Sequence, residues 1–221
     1  MNFVRIASNA IVEGPSDLVA NWIGPSLEAN KDGSVDQVRY VGLNQWPAGQ
    51  LALLGWVALS EAPPAPVSPY QTITPVGISL VAGVPTRQYS ALWPALTDLL
   101  AARRAEVDAL LVAKSAAGLT LSGVPSPVQM RDGDRANIDG AVVQALLSMS
   151  NPQVPWPSTF AWRLADNSTF ALATASSMIA FGAQISAAYL ALRAVGWKHK
   201  DDMDAMTDPA QIAAYDITAG W

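Results

Sequence analysis

The chain has 221 residues, 51% of them hydrophobic, which is enough for a real core in one large domain or two small ones. Its 13 basic and 18 acidic residues leave a formal net charge of −5, so it lacks the basic footprint that neutralises phosphates, and nucleic acid is not an expected partner. With no cysteine, disulfides, thiolate metal sites and cysteine nucleophiles are excluded.

The opening stretch MNFVRIASNAIVEGP has no basic segment followed by an apolar run, so no secretory signal is expected. FVRIA and AIVEG alternate apolar and polar residues around Ser8-Asn9, the pattern of a β-hairpin with an Asn-containing turn. After the polar loop EANKDGSVDQ comes the strand-like VRYVGLN. Pro47 suits the first position of a short helix, which Gly55 stops before WVALS. Residues 1–60 therefore read as a small α+β module.

Glu61 to Pro69, EAPPAPVSP, is dense in proline and reads as a stiff connector. YQTITPVGISLVAGVPTRQY is rich in β-branched residues and broken at Pro75-Val76-Gly77, which predicts a second hairpin or an extended arm. Pro75 and Pro85 place it at a sheet edge. Residues 61–92 are thus assigned as a Pro-rich linker and extended β arm.

From Pro94 the period changes. Leu96, Leu99, Leu100, Val107, Leu110 and Leu111 recur at three- and four-residue steps, predicting an amphipathic helix of about six turns that ends near Gly118. LTLSGVPSPVQM reads as a short strand pair or bent strand. Asp132 is then expected to cap a helix from Gly133 to Met149 with Ile138, Val142, Val143, Leu146 and Leu147 inward. FAWRL and TFALA, flanking Ala165 to Ser168, predict a hairpin with Phe160, Trp162 and Leu164 facing Phe170 and Leu172. Thr174 suits the N-cap of a long Ala-rich helix reaching Met206, with an apolar stripe of Met178, Phe181, Ile185, Tyr189, Leu192 and Val195. Asp208-Pro209-Ala210-Gln211 predicts a last short helix leading into DITAGW. The expected fold class is α+β: a small N-terminal β-hairpin module, a Pro-rich linker, and over residues 93–221 a mainly helical domain with inserted β-hairpins and one long Ala-rich helix.

Motifs for chemistry are sparse. His199 is the only histidine, so a metal site or a Ser-His pair would have to be built on it, and its KHKDD setting predicts a solvated surface side chain. Asp201, Asp202 and Asp204 read as an acidic face paired with Lys198 and Lys200. Asp32 to Asp36 and Asp132 to Asp134 lack the further ligands of a calcium loop, and no glycine pattern forms a phosphate cradle. No enzymatic activity, cofactor or metal is expected. The charge-free stretch Asn167 to Leu192 is interrupted by Ser, Thr, Asn and Gln and reads as a buried or interface helix, not a membrane span. The 8 tryptophans could serve core packing, subunit contact or glycan stacking; Trp93, Trp156, Trp197 and Trp221 are the candidates for an interface.

Two groups of stretches carry a resemblance. NFVRI, AIVEGP and LALLGWVAL, with the Pro-rich segment before YQ, are similar to the N-termini of small proteins encoded among the tail genes of tailed bacteriophages. LTLSGVPSPVQMRDGDRANIDGA, FAWRLADNSTFALATA and DPAQIAAYDITAGW resemble a tail-associated phage domain of unknown function. That domain's marks fall on Trp162, the Asp166-Asn167 turn, Phe170 to Thr174, Lys200 to Asp204 and Asp216 to Trp221. The chain departs from it at Asn167-Ser168, where a glycine is usual, and at ALAT, where Leu-Thr is usual. About half the chain matches strongly and the first third loosely. The resemblance brings no catalytic residues; it implies a virion component of the tail tip, baseplate or fibre complex, made in the host cytoplasm and bound to other tail proteins as a homo-oligomer within an assembly. The alternatives are a tail-fibre assembly chaperone and a glycan-binding receptor module.

Overall fold

The structure is a computed structural model that describes residues 2–18, 22–28, 30–32 and 34–221, apart from the side chain of Asp132. The fold is α+β, as expected, and divides into two compact units, Met1–Pro94 and Ala95–Trp221.

In the first unit β1 (Phe3–Ala7) and β2 (Ala10–Ser16) form the expected hairpin. Ser8 and Asn9 take the left-handed conformation, φ 50° and 62°, that a tight two-residue turn demands. β3 (Trp22–Pro25) pairs with β4 (Gln37–Tyr40). β3 was not expected, because Gly24-Pro25 are poor strand formers; the glycine is needed because a Cβ there would lie 2.0 Å from the Trp22 indole. Pro47 sits just before the first turn of α1 (Ala48–Leu53), one position earlier than predicted, and Gly55 at φ 81° ends the turn that follows. β5 (Trp56–Ala58) then pairs with β1 on the side away from β2.

Phe3, Leu18, Leu43, Leu51, Leu54 and Trp56 are buried together under Trp22, Tyr40 and Trp46. Trp22 stacks on Tyr40 at 5.6 Å and meets Trp56 edge-on at 5.5 Å, while Tyr40 meets Trp46 at 5.7 Å. Three of the tryptophans are thereby used as core.

The hairpin of β6 (Thr72–Val81) and β7 (Val84–Leu92) also belongs to this unit. Its turn is at Ala82-Gly83, φ 49° and 79°, whereas Pro75-Val76-Gly77, read from sequence as the break, is a bulge within β6. The N–H of Ser60 donates to Pro85 O (2.9 Å), that of Arg87 to Ser60 O (3.0 Å), and Arg87 pairs with Glu61 at 2.6 Å. The boundary between units consequently falls after Pro94, with the proline-dense segment inside the first.

The second unit opens with α2 (Leu96–Ala117), which ends where sequence placed it, at Gly118. Gly118 has φ 110° and ψ 152°, and a Cβ there would stand 2.8 Å from the Pro127 ring. Leu119 and Val128 exchange both backbone hydrogen bonds, at 2.8 and 2.9 Å, so the expected strand pair is a single bridge. α3 (Asp132–Ser150) starts at Asp132 itself, whose expected capping side chain lies outside the described atoms. The Asp134 carboxylate accepts from the Arg131 N–H (3.2 Å) and guanidinium (2.7 Å), and this pairing holds its pKa below the ordinary range.

β8 (Ala161–Arg163) and β9 (Thr169–Ala171) form the predicted hairpin with Asn167 at φ 67°. α4 (Ala175–Asp204) is capped by Thr174, whose hydroxyl accepts from the Ser177 N–H at 3.1 Å. Asp208 caps α5 (Pro209–Ala214) by accepting from the Ala210 N–H at 2.9 Å. Leu164 and Leu172 from the hairpin, Ile138 and Ala145 from α3, and Met178, Phe181 and Ile185 from α4 share one core. Gly182 lets α3 and α4 approach, since a Cβ there would meet Val142 at 2.4 Å. By length and composition alone, α4 is long and apolar enough to cross a membrane.

Candidate functional site

The chemistry of the second unit concentrates at three places, the first being the end of α4. His199 is buried, at 6% exposure, contrary to the solvated side chain its sequence neighbours predict. Residues 215–221 fold back over it: Nδ1 is 2.9 Å from Tyr215 Oη, Nε2 is 2.9 Å from Ala219 O, and the Trp221 ring lies 5.6 Å away. A carbonyl can only accept, so Nε2 donates to Ala219. The Tyr215 hydroxyl is also 2.7 Å from Asp202 Oδ2; burial, with that carboxylate, pushes its pKa up to about 12, so it stays a donor. On α2, buried Arg103 donates to Tyr215 O and pairs with Glu106. Arg104 pairs with Asp204, and Lys200 with Asp108 at 2.5 Å, so only Lys198 to Asp202, at 2.7 Å, is the local acidic-face pairing foreseen. The assembly locks the last segment to α2 and α4.

The four tryptophans proposed as interface residues have separate placements. Trp156 packs against the core with its ring 4.8 Å from Phe160 and donates to Leu172 O at 2.8 Å. Trp221 lies half-buried over Gly196, where a Cβ would stand 3.3 Å from the indole, and donates to Ile217 O at 2.6 Å. Trp93 is half-buried in the first unit. Trp197 is 50% exposed, with the Arg193 guanidinium 4.9 Å over its ring.

The second place is the outer face of α3. Val143, Leu146 and Leu147, predicted to point inward, are 55%, 51% and 49% exposed. Among the described side chains of this helix only Ile138 and Ala145 are buried. The 3.6-residue period had located an apolar stripe without revealing that the hairpin and α4 cover a neighbouring one. Its exposure was the main feature that sequence reasoning missed.

The third is a cleft of about 750 Å³ between β8 and α3, lined by Gln129, Arg131, Asp134, Asn137, Trp162 and Arg163 among others. Among the described residues no group of three His, Asp or Glu side chains is placed to hold a metal ion.

A helical body with an inserted hairpin, a pinned C-terminal segment and an uncovered apolar helix face is thus the class of unit that the second half defines. By sequence, the chain belongs to the family described as a domain of unknown function, DUF4376, whose profile matches residues 98–219, nearly all of this unit. No curated protein and no solved structure matches the chain.

Proposed function

We propose that the protein is a structural virion component of a phage tail tip, baseplate or tail fibre complex, made in the host cytoplasm and acting in host attachment through protein–protein interfaces. Its action is binding, not catalysis, and its partners are other tail proteins together with copies of itself. The observation that carries this reading is the Val143, Leu146 and Leu147 stripe, since an exposed apolar helix face of this kind marks a surface that a neighbour covers. The resemblance of residues 119–141, 160–175 and 208–221 to tail-associated phage stretches supports it, and these segments fall almost wholly within the family match.

Quantitative mass spectrometry of purified phage particles, referenced to a known tail subunit, tests it. A fixed stoichiometric ratio is the expected result. Presence in the infected lysate with absence from the particle would overturn it in favour of an assembly chaperone.

A further inference from the structure

The hairpin β8–β9 is two-stranded, and one edge of β8 is left open in a telling way. Leu172 donates to Phe160 O and Leu164 donates to Ser168 O, both at 2.9 Å, with Trp162 opposite Phe170 between them. In an antiparallel pair backbone groups alternate in direction, so Phe160, Trp162 and Leu164 turn theirs to β9 while Ala161 and Arg163 turn theirs outward. Among the described residues nothing pairs with the N–H or C=O of Ala161 or Arg163.

The next outward residue, Ala165, does have a partner: its N–H donates to Pro127 O at 2.9 Å. Pairing along this edge is therefore begun by the chain itself and then abandoned. Val128 bonds to Leu119 instead, Met130 donates to Ser115 O, and the backbone turns away into α3. The space it vacates is the cleft of about 750 Å³, with Ala161 to Arg163 on one wall and Gln129, Asp134 and Asn137 on the other. Arg163 is exposed at its rim and makes no ion pair among the described residues, whereas Arg131 is neutralised by Asp134.

We propose that this edge accepts an extended segment of a partner protein as an added β-strand, with an acidic side chain of that segment on Arg163. An unpaired strand edge supplies main-chain hydrogen bonds to any extended backbone, and the flanking pockets select its side chains. The three residues of β8 span roughly 10 Å, so the added strand is short and its anchoring charge matters. The inference rests on the binding role proposed above and names the form of one partner contact.

The test begins with selection of a random peptide library displayed on yeast against the full chain, followed by titration of the enriched peptide into ¹⁵N-labelled protein. Enrichment of acidic, β-branched sequences is expected, with slowed exchange of the Ala161 and Arg163 amides. Arg163→Glu should weaken binding about tenfold or more, while Leu190→Glu, at an exposed position of α4, leaves it unchanged. Methylating alternate peptide nitrogens should abolish binding in one register and spare it in the other, a signature that side-chain contact alone does not give. The proposal is overturned if the Arg163→Glu protein enriches the same peptides equally, if the bound peptide shifts amides elsewhere, or if maltohexaose or chitotetraose fills the cleft in place of peptide. Since the assay uses isolated protein, its failure is separable from absence of the chain from virions, which would remove the tail role and leave the strand edge standing.

Discussion

Replacing His199 separates hydrogen bonding from packing at the C-terminal fold-back. His199→Phe keeps a ring between Tyr215 and Trp221 but loses the contacts to Tyr215 Oη and Ala219 O, both 2.9 Å. At about 1 kcal/mol for each bond, the loss is about 2 kcal/mol. His199→Ala removes the packing as well and should cost about 3 to 4 kcal/mol. Urea unfolding of the full chain followed by far-UV circular dichroism reads the difference; with a slope of about 2 kcal/mol per molar, the Phe variant shifts the midpoint by about 1 M. Hydrogen exchange by mass spectrometry should show residues 215–221 deprotected first. If His199→Phe behaves like an ordinary surface change, within about 0.5 kcal/mol and with unaltered exchange at 215–221, then the histidine does not hold the segment and the argument fails.

Other consequences can be checked on the same protein. Asp202 is held below its ordinary pKa of 3.8, first by the hydrogen bond from Lys198 and next by that from Tyr215. Its contribution is therefore present above the unfolded value and disappears as pH falls through the lower folded one. Asp202→Asn should flatten the decline of stability below about pH 4, measured by urea midpoints across the acid range. Gly118→Ala puts a side chain into a backbone region open essentially to glycine alone and against Pro127, and should lower stability by about 1 to 3 kcal/mol in thermal unfolding. The double change Val143→Glu and Leu146→Glu should alter folding stability by no more than about 0.5 kcal/mol, because both side chains are about half exposed. The same variant should fail to enter particles in a complementation assay; normal incorporation would remove the stripe from the proposed interface.

Local signals proved readable wherever one residue type answers one backbone demand. Ser8-Asn9 specified a left-handed turn, Thr174 and Asp208 specified helix starts, and Gly118 a helix stop, each found in place. The harder features depend on residues distant in sequence. Nothing in KHKDD indicates that Tyr215, Ala219 and Trp221 return to cover His199; of the polar neighbours that suggested exposure, Lys198 and Asp201 are exposed, whereas Lys200 and Asp202 are half-buried and engage Asp108 and Tyr215. The α3 stripe was visible as a period, but which apolar face wins a partner is decided by α4 and the hairpin, not by α3 itself. In β6, proline-glycine chemistry marked a bulge as readily as a turn, and the real reversal at Ala82-Gly83 carried a weaker signature. For the cleft, Trp162 and Arg163 could be picked out as residue types, but the open edge of β8 follows from pairing register, which only the assembled hairpin fixes.

The fold-back also sets an order on biosynthesis. Arg103 meets its carbonyl partner on Tyr215 across 112 residues, so α2 leaves the ribosome long before the segment that fastens it exists. At roughly 5–20 residues per second, the interval is about 6 to 22 s. Val107, buried in the finished unit, waits for α4 to bring Gly196 beside it, and Arg103 waits longer still for the Tyr215 carbonyl. The nascent helix must travel with its inner face open, and the step that seals it comes as the last residues of the unit emerge.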